Sequence, residues 1–428
     1  MTPPPTPEEQ SAQLSRALAT GILDEDDTAA VFYDLSLIAA RADEMRGLFP
    51  PDALHTTAIK ANPLPSVLRV LCRKGFGAEA ASSPEILIAE ASGFPAERIV
   101  FDSPAKTVRE LDEALSRGLH INADSLEELK RIEMLAARRH SGSRIGIRIN
   151  PQIGEGSIVT TSVAGMASKF GVPLKEKRAG VLEAFRAYPW LTGIHVHIGS
   201  QAYPLELLVR GVSAVMHLVE EIEAMVPVSM AGRRVQAIDI GGGMPATYRS
   251  DAPAPPMEEY VRRLQAECPA LFSPGRTVIT EFGRSIHANA GWAVSRVEYV
   301  KRSSAGTTII THLGADMFLR EAYHPADWYH EILLTDARGA LKHGSEERCV
   351  VAGPLCFSGD IIARDIPLPA PDPGDYLIIR DAGAYTLSMW SRYNSRVLPK
   401  IIGIDHKRGS MEVLKERERP EELLRFWS

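Results

Sequence analysis

At 428 residues, 45% hydrophobic and 24% charged, the chain has ordinary globular composition and enough apolar material for two cores. A formal net charge of −6 gives no sign of a nucleic-acid partner, and no window approaches the roughly 18 apolar residues of a membrane helix. The four cysteines (Cys72, Cys268, Cys349 and Cys356) lack the spacing of a disulfide framework or a zinc site.

The chain opens on Met1-Thr-Pro-Pro-Pro-Thr-Pro, with neither the basic nor the apolar segment of a signal peptide. It reads as a disordered lead-in to about Glu9, and a cytoplasmic protein is expected. Phe32-Tyr33-Asp34 then offers a strand. Eight short apolar runs follow: Leu54–Ala61, Phe76–Ala81, Arg98–Asp102, Leu119–Ala123, Arg144–Asn150, Thr192–Ile198, Val235–Ile240 and Thr277–Phe282. Between them, segments such as Leu64–Lys74 and Thr107–Arg117 carry apolar residues at helical spacing. Buried parallel strands read as continuous apolar runs and need helical crossovers, so eight such units predict a (β/α)8 barrel over residues 35–285. After about Gly291 the segments Ala293–Val300, Glu347–Ala352, Asp375–Arg380 and Ile401–Asp405 are short, often β-branched and divided by turn formers. They predict an antiparallel β domain over 286–428, to which residues 1–34 add a lead-in and a strand.

Barrel chemistry sits at the C-terminal ends of the strands. Those ends here carry Lys60, Glu79, Asp102, Arg148, His197, Gly241-Gly242-Gly243 and Glu281, a polar set for eight apolar runs. Lys60 is either a strand-end lysine that snorkels to water or a desolvated amine that forms a Schiff base. Asp239-Ile-Gly241-Gly242-Gly243 is a plain turn or a nest of backbone N–H groups around an anion; it lacks the spacing of a nucleotide loop. His195 and His197 share one strand face, as core histidines or as metal ligands, but no further ligand cluster accompanies them and no metal is expected. Glu281 needs a cation: Arg284 in a structural pair, or a protonated ring nitrogen. In the β domain, Cys356 sits among turn formers beside Asp360, as a small buried hydrophobe or as a positioned thiol.

In combination and in order, these motifs resemble the fold-type III pyridoxal-phosphate decarboxylases, the family of diaminopimelate, ornithine and arginine decarboxylases, from about Phe32 to Ile402. Gly383-Ala-Tyr385 followed by Ser391-Arg-Tyr393-Asn-Ser-Arg396 resembles the diaminopimelate branch most. The resemblance implies pyridoxal 5′-phosphate carried on Lys60, with His197 stacked on its ring. It implies a phosphate held by Ser200, Gly241, Gly242, Gly243 and Tyr385, with Gly283-Arg284 as the adjoining turn. Glu281 resembles the partner of the ring nitrogen, and Glu79 and Glu85 match acidic positions near the lysine. Arg320, with Tyr323 close by, resembles the arginine that grips a distal carboxylate. Cys356 and Asp360 resemble a pair supplied by the other subunit, so a homodimer with shared sites is implied, with Cys356 a general acid toward Cα.

Two features depart from the family, the residue after Cys356 and the spacing from Arg320 to Tyr323, which is one residue shorter than expected. A glutamate that reaches the substrate's far amino group is expected after the cysteine, and Phe357 stands there. Both bear on the substrate, diaminopimelate or a related amino acid of a specialised pathway, and leave α-decarboxylation as the expected reaction. An alanine-racemase-like enzyme needs a catalytic tyrosine opposite the lysine and leaves Gly-Pro-Leu-Cys356 unexplained. A non-catalytic descendant is expected to lose Lys60, Cys356 or Asp360, and all three are present.

Overall fold

The computed structural model describes residues 2–138, 141–154, 156–158, 161, 163–201, 203–225, 233–304 and 306–428. Two compact units are present: Ala39–Ala246 with Ala254–Ser285, and Thr2–Ile38 with Thr247–Pro253 and Ile286–Ser428. Strand β1 (Ala29–Asp34) belongs to the second.

The first unit is a closed parallel barrel. Strands β2 (Leu54–Ala58), β3 (Gly77–Ala80), β4 (Ile99–Asp102), β5 (His120–Ala123) and β6 (Ile145–Asn150) pair in order, with the two-residue β7 (Val172–Pro173) flanking β6. The barrel continues through β8 (Leu191–His195), β9 (Ala237–Asp239) and β10 (Thr277–Phe282), and β10 pairs with β2 to close it. Crossover helices start where the sequence supplies caps. Thr107 and Glu110 form a reciprocal capping box before Val108–Arg117. The Ser82 side chain caps Ser83–Ala91, and the Glu85 carboxylate accepts the Ala81 N–H at 2.7 Å. Glu85, expected near the lysine, therefore secures the start of a helix. The helices bury apolar stripes, such as Leu111, Ala114 and Leu115.

Several strands are shorter than their apolar runs. β2 stops at Ala58, and Lys60 lies in the following 3-10 turn Ile59–Ala61; β8 stops at His195, so His197 lies beyond it. An apolar run reports burial, which continues into the turn after ladder pairing has ended.

The second unit is a nine-stranded sheet in which β1 runs between β11 (Gly291–Ser303) and β17 (Lys400–Asp405). Outside β11 lie, in turn, β12 (Gly306–Thr311), β14 (Glu346–Ala352) and β15 (Ile361–Pro369); outside β17 lies β18 (Ser410–Lys415). β13 (Ile332–Thr335) pairs with β16 (Tyr376–Ile379), which also pairs with β11. The ladders are antiparallel except β1–β17 and β12–β14, which are parallel. Phe32 stacks on Trp292, with ring centroids 5.5 Å apart, in a core that includes Ile378 and Ile402.

The lead-in corrects the expectation of disorder to about Glu9. Residues Pro7–Ala19 form a helix that buries Leu14 and Ala17 in this core. Thr6 and Glu9 close a capping box, and Pro7 occupies the first turn, where its missing N–H costs nothing. Arg380 holds the approach by donating to the Pro5 carbonyl and the Gln10 side chain, each at 2.9 Å. Proline-rich composition resembled disorder because the stripe that orders it begins only at Gln10.

Candidate functional site

In the barrel unit, polar side chains gather where the strands end. The Lys60 ammonium donates to both oxygens of Glu79, each at 2.6 Å. Glu79 is fully buried, while the Lys60 side chain is 40% exposed and reaches open space. Burial pushes the Glu79 carboxyl up to about 8, against the pull of Lys60. Among the described residues no other cation pairs with Glu79, so Lys60 is the counter-charge of this buried acid.

Deeper in the barrel, four residues form a chain. Arg148 donates to Asp102 Oδ2 at 2.9 Å. The other Asp102 oxygen, Oδ1, lies 3.5 Å from His195 Nδ1, and His195 Nε2 lies 3.5 Å from Glu281 Oε2. These two separations are ion-pair contacts and not hydrogen bonds: both His195 nitrogens and Asp102 Oδ1 are buried without a hydrogen-bond partner. His195 is fully buried. Burial would lower it, but Asp102 and Glu281 outweigh that and push it up to about 9. Burial also opposes ionisation of Glu281, yet His195 brings it down to about 2. Glu281 Oε1 is buried without a hydrogen-bond partner. The sequence offered Arg284 as the partner of Glu281; the contact is instead made by His195, because the closed barrel places β8 and β10 on the same interior. Ligand atoms of Asp102, His195 and Glu281 lie within 4.8 Å of one another, a spacing that a metal ion also spans. The Arg148 guanidinium already neutralises Asp102, which suits an ion-pair chain better.

The glycine run closes the site beside β9 and β10. A Cβ at Gly242 would lie 2.4 Å from the Glu281 carbonyl oxygen. One at Gly243 would lie 2.4 Å from the Gly199 carbonyl, at a φ of +105° that side chains rarely adopt. The cradle therefore exists only with hydrogen at these positions. The Gly242 N–H donates to His197 Nδ1 at 3.0 Å, which fixes the ring. Burial, reinforced by Arg148, lowers His197 to about 3, so its imidazole is neutral. Arg284 Nε donates to Ser200 Oγ at 3.3 Å, joining the turn after Gly283 to the loop after His197. A Cβ at Gly283 would lie 2.7 Å from the Ala61 Cβ, next to Lys60.

The remaining sequence-selected residues lie in the second unit. Cys356 is exposed on a loop. Its N–H donates to Asn394 Oδ1 at 2.7 Å, and its carbonyl accepts the Tyr393 hydroxyl at 3.3 Å. Asp360 does not stand beside the thiol as a free carboxylate. It is buried, and its two oxygens accept the Ala315 and Leu355 N–H groups, each at 2.6 Å. It pins the loop that presents Cys356. Phe357 stacks on Tyr323 (centroids 5.9 Å, 20°) and meets Tyr393 edge-on (6.1 Å, 78°). With Leu319, Leu355 and Ser391 these rings line a cavity of about 300 Å³ whose lining has no ionisable acid or base other than the tyrosine hydroxyls. The Arg320 guanidinium lies 4.5 Å from the Trp328 ring centroid and 4.9 Å from that of Tyr385. Tyr385 has a left-handed backbone, φ +58°, the kind of cost that persists where the surroundings demand it. Asn394 and Tyr393 were visible only as parts of a motif, and nothing in the sequence ties them to Cys356.

Residues 35–288 match the family model for the pyridoxal-binding domain of pyridoxal-dependent decarboxylases. A diaminopimelate decarboxylase of Helicobacter pylori is 34% identical over 375 residues, which are 86% of this chain and 87% of that protein. One from Aquifex aeolicus is 30% identical over 91% of this chain and 89% of its own length. The crystal structure of diaminopimelate decarboxylase from Helicobacter pylori complexed with L-lysine superposes with a TM-score of 0.84 at 29% identity, covering 96% of this chain and 99% of that one.

Proposed function

This chain belongs to the pyridoxal-dependent decarboxylases, which remove the α-carboxylate of an amino acid with pyridoxal 5′-phosphate, and from that membership we propose roles for its own residues. The observation that carries the proposal is the meeting of Lys60–Glu79, the glycine cradle and the unpartnered Glu281 oxygen in one barrel unit. These features fit the cofactor: an amine for its aldehyde, a tightly packed glycine turn at the strand end for its phosphate, and a buried carboxylate oxygen for its protonated ring nitrogen. When bound, the cofactor supplies an electron sink for the carbanion left at Cα as CO2 departs.

Lys60 holds the cofactor, and Glu79 keeps the amine in place. Ser200, Arg284 and the Gly243 N–H take the phosphate at the turn that Gly241 and Gly242 shape, their own N–H groups given to Asp239 and His197, with Tyr385 as a further contact and Gly283 leaving room beside Lys60. His197, neutral and fixed by Gly242, covers the ring. Cys356 returns a proton to Cα as general acid, in the site of a partner subunit, which makes the active unit a homodimer. Its exposed position and the loop fixed by Asp360 and Asn394 support that reading. Lys60, Glu79, His197 and the glycine run lie in the barrel unit, and Cys356, Arg320 and Phe357 in the second unit. Among the described residues no helix is long and apolar enough to cross a membrane, and we place the enzyme in the cytoplasm.

For the substrate, Arg320 grips a distal carboxylate, and the Phe357 cavity takes the segment beside it. That cavity has no carboxylate for a second ammonium, so the favoured substrate is an amino acid with a far carboxylate and no far ammonium. Diaminopimelate, converted to lysine, is the second reading, favoured by the relatives. A screen of amino acids for cofactor-dependent CO2 release, with meso-diaminopimelate and 2-aminopimelate included, tests the proposal. Release from no amino acid by cofactor-loaded protein overturns it.

A further inference from the structure

The barrel interior contains more charge than holding a cofactor requires. Arg148, Asp102, His195 and Glu281 come from β6, β4, β8 and β10, so four separate strands converge on one line of contacts. Each ring nitrogen of His195 faces a carboxylate oxygen at 3.5 Å. A neutral imidazole carries one N–H, so its bare nitrogen would oppose a carboxylate lone pair; with both carboxyl groups ionised, the doubly protonated ring is the form that answers both sides. Such a cation in a dry interior needs its counter-charges, and Asp102 and Glu281 are those nearest.

We propose that Asp102 and His195 are positioning residues that fix the orientation and ionisation of Glu281, spending Oε2 on His195 and leaving Oε1 for the cofactor's ring nitrogen. The proposal rests on the reading of Glu281 given above. In the chain, Arg148 anchors one oxygen of Asp102, the other orients the imidazole, and the imidazolium holds Glu281 as a carboxylate. Without that cation, a carboxylate at this depth, close to Asp102 and Asp239, would take up a proton and lose the negative charge that keeps the ring nitrogen protonated. The other titratable groups acting on His195, Glu281 or their partners are Asp239, Glu79, Asp124, His120, His197, Lys60, Lys106 and Arg148.

The test compares wild type, Asp102→Asn, His195→Gln and Glu281→Gln, each prepared without cofactor and titrated with pyridoxal phosphate by fluorescence, then scanned by absorbance from pH 6 to 10. In parallel, ¹⁵N NMR of histidine-labelled wild type without cofactor reads the protonation of His195 directly. The expected result is a His195 ring with both nitrogens protonated at neutral pH. Cofactor affinity should fall about tenfold or more in His195→Gln and Glu281→Gln, and less in Asp102→Asn. The absorbance-pH profile should shift in all three. If Glu281→Gln alone loses affinity while Asp102→Asn and His195→Gln match wild type, the proposal fails and the reading of Glu281 stands. If Glu281→Gln also matches wild type, that reading fails and takes the proposal with it. A neutral His195 ring in the NMR spectrum overturns the proposal even if the variants do not fold. So does a stoichiometric divalent metal whose chelation abolishes the His195 signature.

Discussion

Phe357→Glu is the sharpest test of the substrate side. The wild-type ring makes two aromatic contacts, with Tyr323 and Tyr393. Each is worth about 0.5–1.5 kcal/mol, so the variant should lose about 1–3 kcal/mol of local packing before any substrate is considered. A distal ammonium placed against the native ring is desolvated at a cost of several kcal/mol and regains only about 0.5–2 kcal/mol by a cation–π contact. A carboxylate in its place adds a charge-assisted hydrogen bond worth about 1.5–3 kcal/mol. Since about 1.4 kcal/mol is a factor of ten, the kcat/KM ratio of meso-diaminopimelate to 2-aminopimelate should rise about 10- to 100-fold in the variant. The assay is CO2 release on both substrates, side by side, with circular dichroism to confirm folding. A wild type that already strongly prefers meso-diaminopimelate, or a ratio unmoved by the substitution, refutes the reasoning and assigns the distal amine to another residue.

Borohydride reduction of the yellow holoenzyme followed by peptide mapping should place a pyridoxyl adduct on Lys60; an adduct on another lysine removes its assignment. Lys60→Ala and Cys356→Ala should each be nearly inactive and regain part of the activity when mixed, because one site of each hybrid dimer holds both groups. No recovery after verified subunit exchange would exclude a shared site. Gly242→Ala puts a Cβ 2.4 Å from the Glu281 carbonyl oxygen, so about 1–3 kcal/mol of overpacking is expected, read as a Tm lower by several degrees and at least tenfold weaker cofactor binding. Wild-type values for both would show that the cradle has slack. His195 is raised to about 9 from an ordinary value of 6.5, so its contribution to stability is complete below about 6.5 and is lost as pH rises through about 9. Urea unfolding of the cofactor-free protein should show wild type losing more stability than His195→Gln across that interval, and parallel curves would contradict a charged His195.

The sequence by itself determined the barrel and the residues at its mouth. Eight apolar runs with helical crossovers admit few folds, and polar residues closing such runs stand out because burying them unpaired is costly. Gly241-Gly242-Gly243 was legible for the same reason, as a run that only a close backbone approach explains. The helix Pro7–Ala19 was hidden behind its proline-rich approach, and its place in the second core depends on Phe32, Trp292 and Ile378, far away in the chain. Only the tertiary structure separated His195 from His197. β8 ends between them, which leaves one ring between two carboxylates and the other on the Gly242 N–H. It also decided that Asp360 holds a loop, that Phe357 packs with Tyr323 and Tyr393, and that His195 and not Arg284 stands beside Glu281. Periodicity specifies which face of an element is buried, but which charge answers which depends on the closure of the barrel, where residues such as Asp102, His195 and Glu281, each more than eighty positions from the next, come within ion-pair distance.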